Sequence, residues 1–72
     1  MNKRDPRIDP RKGDVVRKGY LPTRHVNGFD ADDNVCYSPF ANGIQFCSRA
    51  CSLTAWRSWA KGAEVVRRGE DA

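Results

Sequence analysis

Val35-Cys36-Tyr37-Ser38-Pro39-Phe40, followed by Ala41-Asn42-Gly43 and then Ile44-Gln45-Phe46-Cys47-Ser48, is the stretch whose reading decides the fold. Asn-Gly supplies the two positive-φ residues of a type I′ turn, whose twist matches that of the strands it joins, so Asn42-Gly43 predicts a tight β-hairpin. The turn sets the register: Ala41 faces Ile44, Pro39 faces Phe46, and Tyr37 faces Ser48. Side chains alternate across a strand. Val35, Tyr37, Ile44 and Phe46 therefore share one face, and Cys36, Ser38, Phe40, Gln45, Cys47 and Arg49 share the other. Pro39 cannot donate to the ladder and predicts an edge position or a bulge.

Working outward, Asp14-Val15-Val16-Arg17-Lys18 is a β-branched run between Gly13 and Gly19 and predicts a first strand. Tyr20-Leu21-Pro22 is a loop. Thr23–Phe29 predicts a second strand, in which Asn27-Gly28 fits either a bulge or a tight turn. Asp30–Asn34 is a polar turn. Beyond the hairpin, Ser52 is an N-cap for a helix over residues 53–61, and Gly62 sits where a left-handed residue ends one. Leu53, Trp56 and Ala60 form its apolar stripe, with Trp59 beside it. A helix this short must pack on the sheet to persist. Trp56 is expected in the core. Ala63–Arg68 predicts the last strand.

Four strands, a short helix and a fifth strand predict a mainly β fold: a small antiparallel β-barrel of about five strands, with one short α-helix before the last strand. That order resembles SH3-like barrels. Lys12-Gly13-Asp14-Val15-Val16-Arg17 also resembles the opening of KOW- and Tudor-type barrels, where a Gly-Asp pair precedes the first strand. As a whole the chain is similar to small basic proteins encoded in phages and prophages, many of them without a known activity. The resemblance implies a fold and transfers no functional residue. The expected division is a flexible basic N-terminal arm over residues 1–12, a barrel domain over 13–69 and a tail over 70–72.

The chain has 72 residues, a net charge of +4 and 39% hydrophobic residues. A domain this small buries about 60% of its extended-chain surface, which leaves no room for a deep enclosed active site. No apolar run approaches the roughly 20 residues of a membrane span and no signal-peptide pattern opens the chain, so a cytoplasmic monomer is expected. The odd cysteine count, three, argues for reduced thiols.

Candidate sites are ranked by chemistry. Residues 1–18 carry seven basic and three acidic groups, and residues 49–72 carry five and three. A barrel that brings its first and last strands together would converge Arg11, Lys12, Arg17, Lys18, Arg67 and Arg68 into a basic face for DNA or RNA, with Tyr20, Phe29 or Phe40 as stacking partners. The plainer reading is a solvated surface with interspersed acids. For a protein partner, Phe40, Trp59 and Arg57 are the expected anchors, since Trp and Arg dominate interface hot spots. Cys36, Cys47, Cys51 and His25 could assemble a Cys₃His zinc site, but the spacing lacks compact C-x₂-C pairs and the expectation is no metal. Asp30, Asp32 and Asn34 copy the start of a calcium loop without its Gly and its closing Glu. With one histidine and no oxyanion-hole pattern, no catalytic residue is expected and no cofactor. The reading is a non-catalytic binding module engaging a protein partner, with nucleic-acid binding as the alternative.

Overall fold

The computed structural model describes residues 4–69, in the order β1 (Val15–Arg17), β2 (Thr23–Phe29), β3 (Val35–Ala41), β4 (Ile44–Gln45), β5 (Arg49–Cys51), α1 (Leu53–Ala60) and β6 (Glu64–Arg67). Every strand pairing is antiparallel. The sheet runs β4-β3-β2-β1-β6, with β5 also on β3. The fold is thus mainly β with a short helix before the last strand, and that last strand lies beside the first. The sheet has two unjoined edges, at β6 and at β4 and β5, rather than the closed barrel expected.

The hairpin turn forms as its sequence predicts: Asn42 and Gly43 take φ of 53° and 76°. Ala41 pairs Ile44 and Phe40 pairs Gln45. The predicted register then breaks. Tyr37 lies opposite Arg49 rather than Ser48, and Cys36 opposite Ala50, so one extra residue is absorbed between Phe46 and Ser48. This bulge divides the predicted fourth strand in two and raises the strand count to six. Pro39 explains the break: it is not at an edge but within β3, where its carbonyl accepts from Phe46 N at 2.8 Å and its ring nitrogen can return no bond. In β2, Asn27-Gly28 is a bulge and not a turn. The partner shifts by one between Val26 and Gly28, Gly28 takes a φ of 131°, and Asn27 Nδ2 donates to Ser38 Oγ at 2.8 Å.

One sheet face carries Val16, Val26, Val35 and Tyr37, and α1 covers it with Trp56 and Ala60. Ser52 Oγ accepts from Ala55 N at 3.1 Å, capping the helix as predicted. Trp56 is fully buried at the centre of this core. Its indole N–H needs a partner there, and Pro6 O supplies it at 2.9 Å. The predicted core face is longer than the helix that covers it: Ile44 and Phe46 are 58% and 45% exposed.

That indole bond corrects the expectation for the N-terminus. Residues 4–12 are packed onto the domain rather than free of it. Pro6 and Pro10 are fully buried. Arg57 Nε donates to Ile8 O at 2.8 Å, Arg7 to Ala63 O at 3.3 Å, and Arg68 Nε to Arg4 O at 3.1 Å. The prolines confine the segment to a few backbone shapes, and its carbonyls accept from Trp56 and Arg57 of α1 and from Arg68 just past β6.

The segment is anchored at Asp14, whose side chain is fully buried. Arg4 donates to both carboxylate oxygens, at 2.5 and 2.8 Å. Arg11 N and Gly69 N add bonds of 2.7 Å each. Burial pushes the Asp14 carboxyl up, but Arg4 and the Gly69 and Arg11 amides outweigh it and hold the group below its ordinary value. Gly69 is required by space as well: a Cβ there would lie 2.3 Å from Lys12 O and 2.4 Å from Gly13 C. Residues 1–3 and the predicted tail, 70–72, lie outside the described residues.

Replacing Asp14 by Asn keeps the shape but leaves the Arg4 cation buried without its counter-charge, a change that costs about 3–5 kcal/mol. Urea denaturation at pH 7 is expected to show a loss of this size for Asp14→Asn. Because the folded carboxyl titrates below the unfolded one, its contribution is complete above the ordinary carboxylate pKa and disappears as pH falls through the lowered value. Wild-type stability should therefore drop on acidification below about pH 4, and the Asp14→Asn curve should be flatter there.

Candidate functional site

Where α1 stops short of the sheet's end, the uncovered inward face forms an open groove of about 300 Å³. Its floor follows from strand alternation. Arg24 on β2 pairs with Pro39 on β3, and Val26 pairs with Tyr37. Arg24 therefore projects on the same face as the core valine two residues on. Tyr37, Pro39 and Trp59 form the floor with it, and Leu21, Pro22, Phe46 and Arg49 form the walls.

The Arg24 guanidinium carbon lies 3.8 Å from the Trp59 ring centroid and 4.3 Å from that of Tyr37. Trp56 stands 5.9 Å away and its ring is tilted against Trp59. Cation–π attraction to these rings is what holds a guanidinium over a hydrophobic core. Burial lowers the Arg24 pKa from its ordinary value, and repulsion from Arg49 adds to the shift. Arginine stays charged despite this. Among the described residues no carboxylate forms an ion pair with Arg24, and none lines the groove. The groove thus offers a cation already stripped of part of its water, a second cation beside it, and apolar walls. Leu21 is 52% exposed and the neighbouring Tyr20 is fully exposed, so the apolar surface continues onto the β1–β2 loop.

The expected basic face is partly assembled. Arg17 and Glu64 lie opposite each other on β1 and β6 and pair at 2.6 Å, and Arg67 is opposite Val15. Several of its cations have internal duties: Lys18 Nζ donates to Trp59 O at 2.8 Å at the end of α1, Arg11 sits 3.6 Å from Asp9, and Arg68 holds Arg4 O. Lys12 and Arg67 are exposed. Tyr20 and Phe29 are exposed, whereas Phe40 is partly covered.

The three expected protein anchors do not converge. Trp59 lines the groove. Phe40 lies on the other sheet face, its ring 5.2 Å from His25. Arg57 borders a separate depression of about 250 Å³ with Asp5, Ile8 and Lys61.

Cys36, Cys47 and Cys51 are free thiols. Cys36 Sγ is 3.9 Å from Asn34 O, Cys47 is exposed, and Cys51 packs on the core, where burial pushes its thiol up. Among the described residues no group of three or more His, Cys, Asp or Glu side chains is placed to hold a metal ion. Asp30 closes an Asx turn instead: its carboxylate accepts from Asp32 N and Asn34 N, both at 2.9 Å. Among the described residues no helix is long and apolar enough to cross a membrane.

Of the lining residues only Trp59 was a candidate from sequence; Arg24, Tyr37, Phe46 and Arg49, with Leu21, Pro22 and Pro39, were not. One signal for them existed. Arg24 is the lone basic residue between positions 19 and 48, and it stands two residues before a core valine on a predicted strand. A cation at an inward strand position is the mark of a site. Compared with known proteins, the chain matches no family model, no curated protein and no solved structure.

If Arg24 serves a ligand rather than the fold, its loss costs the fold little, because partial desolvation offsets the ring contacts. Arg24→Met is expected to stay within about 1 kcal/mol of wild type in urea denaturation, the cation–π contribution being of that order. A loss above about 2 kcal/mol would make Arg24 a structural strut.

Proposed function

We propose that this protein is a small non-catalytic binding module that engages a protein partner through the groove at Arg24. The observation that carries the reading is an exposed apolar rim beside an arginine that is held over two rings and has no carboxylate partner among the described residues. Contiguous apolar surface bordered by polar groups marks interaction sites. Trp, Tyr and Arg, the residue types that dominate hot spots, meet here in one depression. Half-exposed Phe46 and Leu21 give an entering side chain apolar surface to cover. Among the described residues, those that line the groove are arginines, aromatics, prolines and a leucine, a lining whose chemistry suits recognition.

Nucleic-acid binding through the chain ends is the second reading, and Lys12 and Arg67 are the exposed cations that favour it. The two separate by location and by salt. Phosphate contacts release counterions, so nucleic-acid affinity falls steeply with ionic strength. Panning a random peptide library on the immobilised protein is expected to enrich peptides whose affinity falls at least tenfold on Phe46→Ala and is unchanged on Arg67→Gln. Failure to enrich any peptide, together with salt-sensitive binding of a mixed-sequence oligonucleotide that Arg67→Gln weakens, would overturn the protein-partner reading.

A further inference from the structure

We propose that the groove takes an extended acidic peptide segment, one Asp or Glu carboxylate seated on Arg24 and Arg49 and a neighbouring bulky apolar side chain packed against Phe46, Leu21 and Pro22. The inference rests on the protein-partner reading and adds the chemistry of the partner.

Charge complementarity selects an anion. The lining contains two arginines and no acidic residue, and Arg24 has no carboxylate partner among the described residues. The Arg24 guanidinium carbon lies over the Tyr37 and Trp59 rings, and a guanidinium held in this way can still give a carboxylate two parallel hydrogen bonds. Such a bond is worth more here than in water, because part of the desolvation of Arg24 has already been met in folding.

The same rings argue against a nucleobase. Stacking a base needs an open aromatic face. Arg24 occupies a face of both Tyr37 and Trp59, and Tyr37 is 7% exposed. Within the lining Phe46 is the one other aromatic ring, set beside Leu21 and Pro22, and the fully exposed Tyr20 lies on the adjoining loop outside the lining. A volume of about 300 Å³ suits one or two side chains. An extended peptide also fits the period of the site, since alternate residues of a strand-like segment present their side chains to the same side.

The test uses the intact chain and two synthetic pools of seven-residue peptides. One pool carries Leu, Ile, Phe or Tyr two positions along from an Asp or Glu, so that both side chains face the groove, and the other replaces each acid by Asn or Gln. Binding is followed by NMR through the Arg24 Nε–H and Trp59 indole signals, with Arg24→Met, Arg49→Met and Phe46→Ala as variants and Arg67→Gln as control. The expected result is saturable shifts with the acidic pool, at least tenfold weaker binding with the amide pool, and a similar loss in each of the three variants while Arg67→Gln binds as wild type. Equal binding of both pools, sensitive to Phe46→Ala, overturns the acidic-anchor inference and leaves the protein-partner reading standing. Binding of neither pool, or preferential binding of an eight-nucleotide single-stranded DNA at the same signals, overturns both. Should Arg24→Met fail to fold, Arg49→Met and Phe46→Ala carry the same decision, since both residues are exposed.

Discussion

One buried carboxylate, that of Asp14, ties the segments before β1 and after β6 into the sheet, through Arg4 and Arg11 on one side and Gly69 on the other. Asp14 immediately precedes β1, and it accepts two bonds from Arg4, one from Arg11 N and one from Gly69 N. An isolated carboxylate cannot remain ionised in a protein interior without such partners. The partners come from both sides of the sheet sequence: Arg4 and Arg11 bracket the proline-rich segment before β1, and Gly69 lies two residues past β6. Once Asp14 is satisfied, the N-terminal segment lies against α1, Pro6 O meets the Trp56 indole, and the core is closed on the side the sheet leaves open. The chain thus gains a core larger than its apolar content suggests. The Trp56 indole N–H is satisfied by Pro6 O, and Pro6 and Pro10 are themselves fully buried.

This arrangement redistributes the charge. The basic residues of the two ends do come together, but Arg4, Arg57, Lys18 and Arg68 are engaged by carbonyls or by Asp14. Exposed pairs such as Arg17–Glu64 add little stability. The cation that stands out is instead Arg24, which sequence position placed in the least basic part of the chain. Its stacking on Tyr37 and Trp59 combines β2, β3 and α1, and it exists because the inward sheet face runs on past the end of an eight-residue helix. A fold that short of cover leaves apolar surface at one end, and the groove is the result.

The strand order, the helix with its Ser52 cap and the Asn42-Gly43 turn were legible in the sequence because each has a local signature: alternation, an N-cap, a turn dipeptide. Pro39 signalled an edge or a bulge, and the bulge is what forms, but its place after Phe46 on the partner strand was not legible because no feature of residues 46–48 marks it. Docking of residues 4–12 was hidden for a similar reason. Its bonds run from side chains about 50 positions away to backbone carbonyls, which every sequence possesses. Of the site, Trp59 was legible as an aromatic beside the helix stripe. Arg24 was readable only by asking which face its strand alternation gave it. Phe40 was expected to be exposed from its outward strand position, but it is partly covered, with the His25 ring 5.2 Å away.

Native-state amide hydrogen exchange at Gly69 and Arg11 tests the central claim, that a buried carboxylate binds both chain ends into one cooperative unit. If Asp14 holds these amides, they exchange only when the whole domain opens, with protection matching that of Val26 and Val35 in the core. Exchange at the rate of an unprotected terminus, while Val26 and Val35 stay protected, would contradict it.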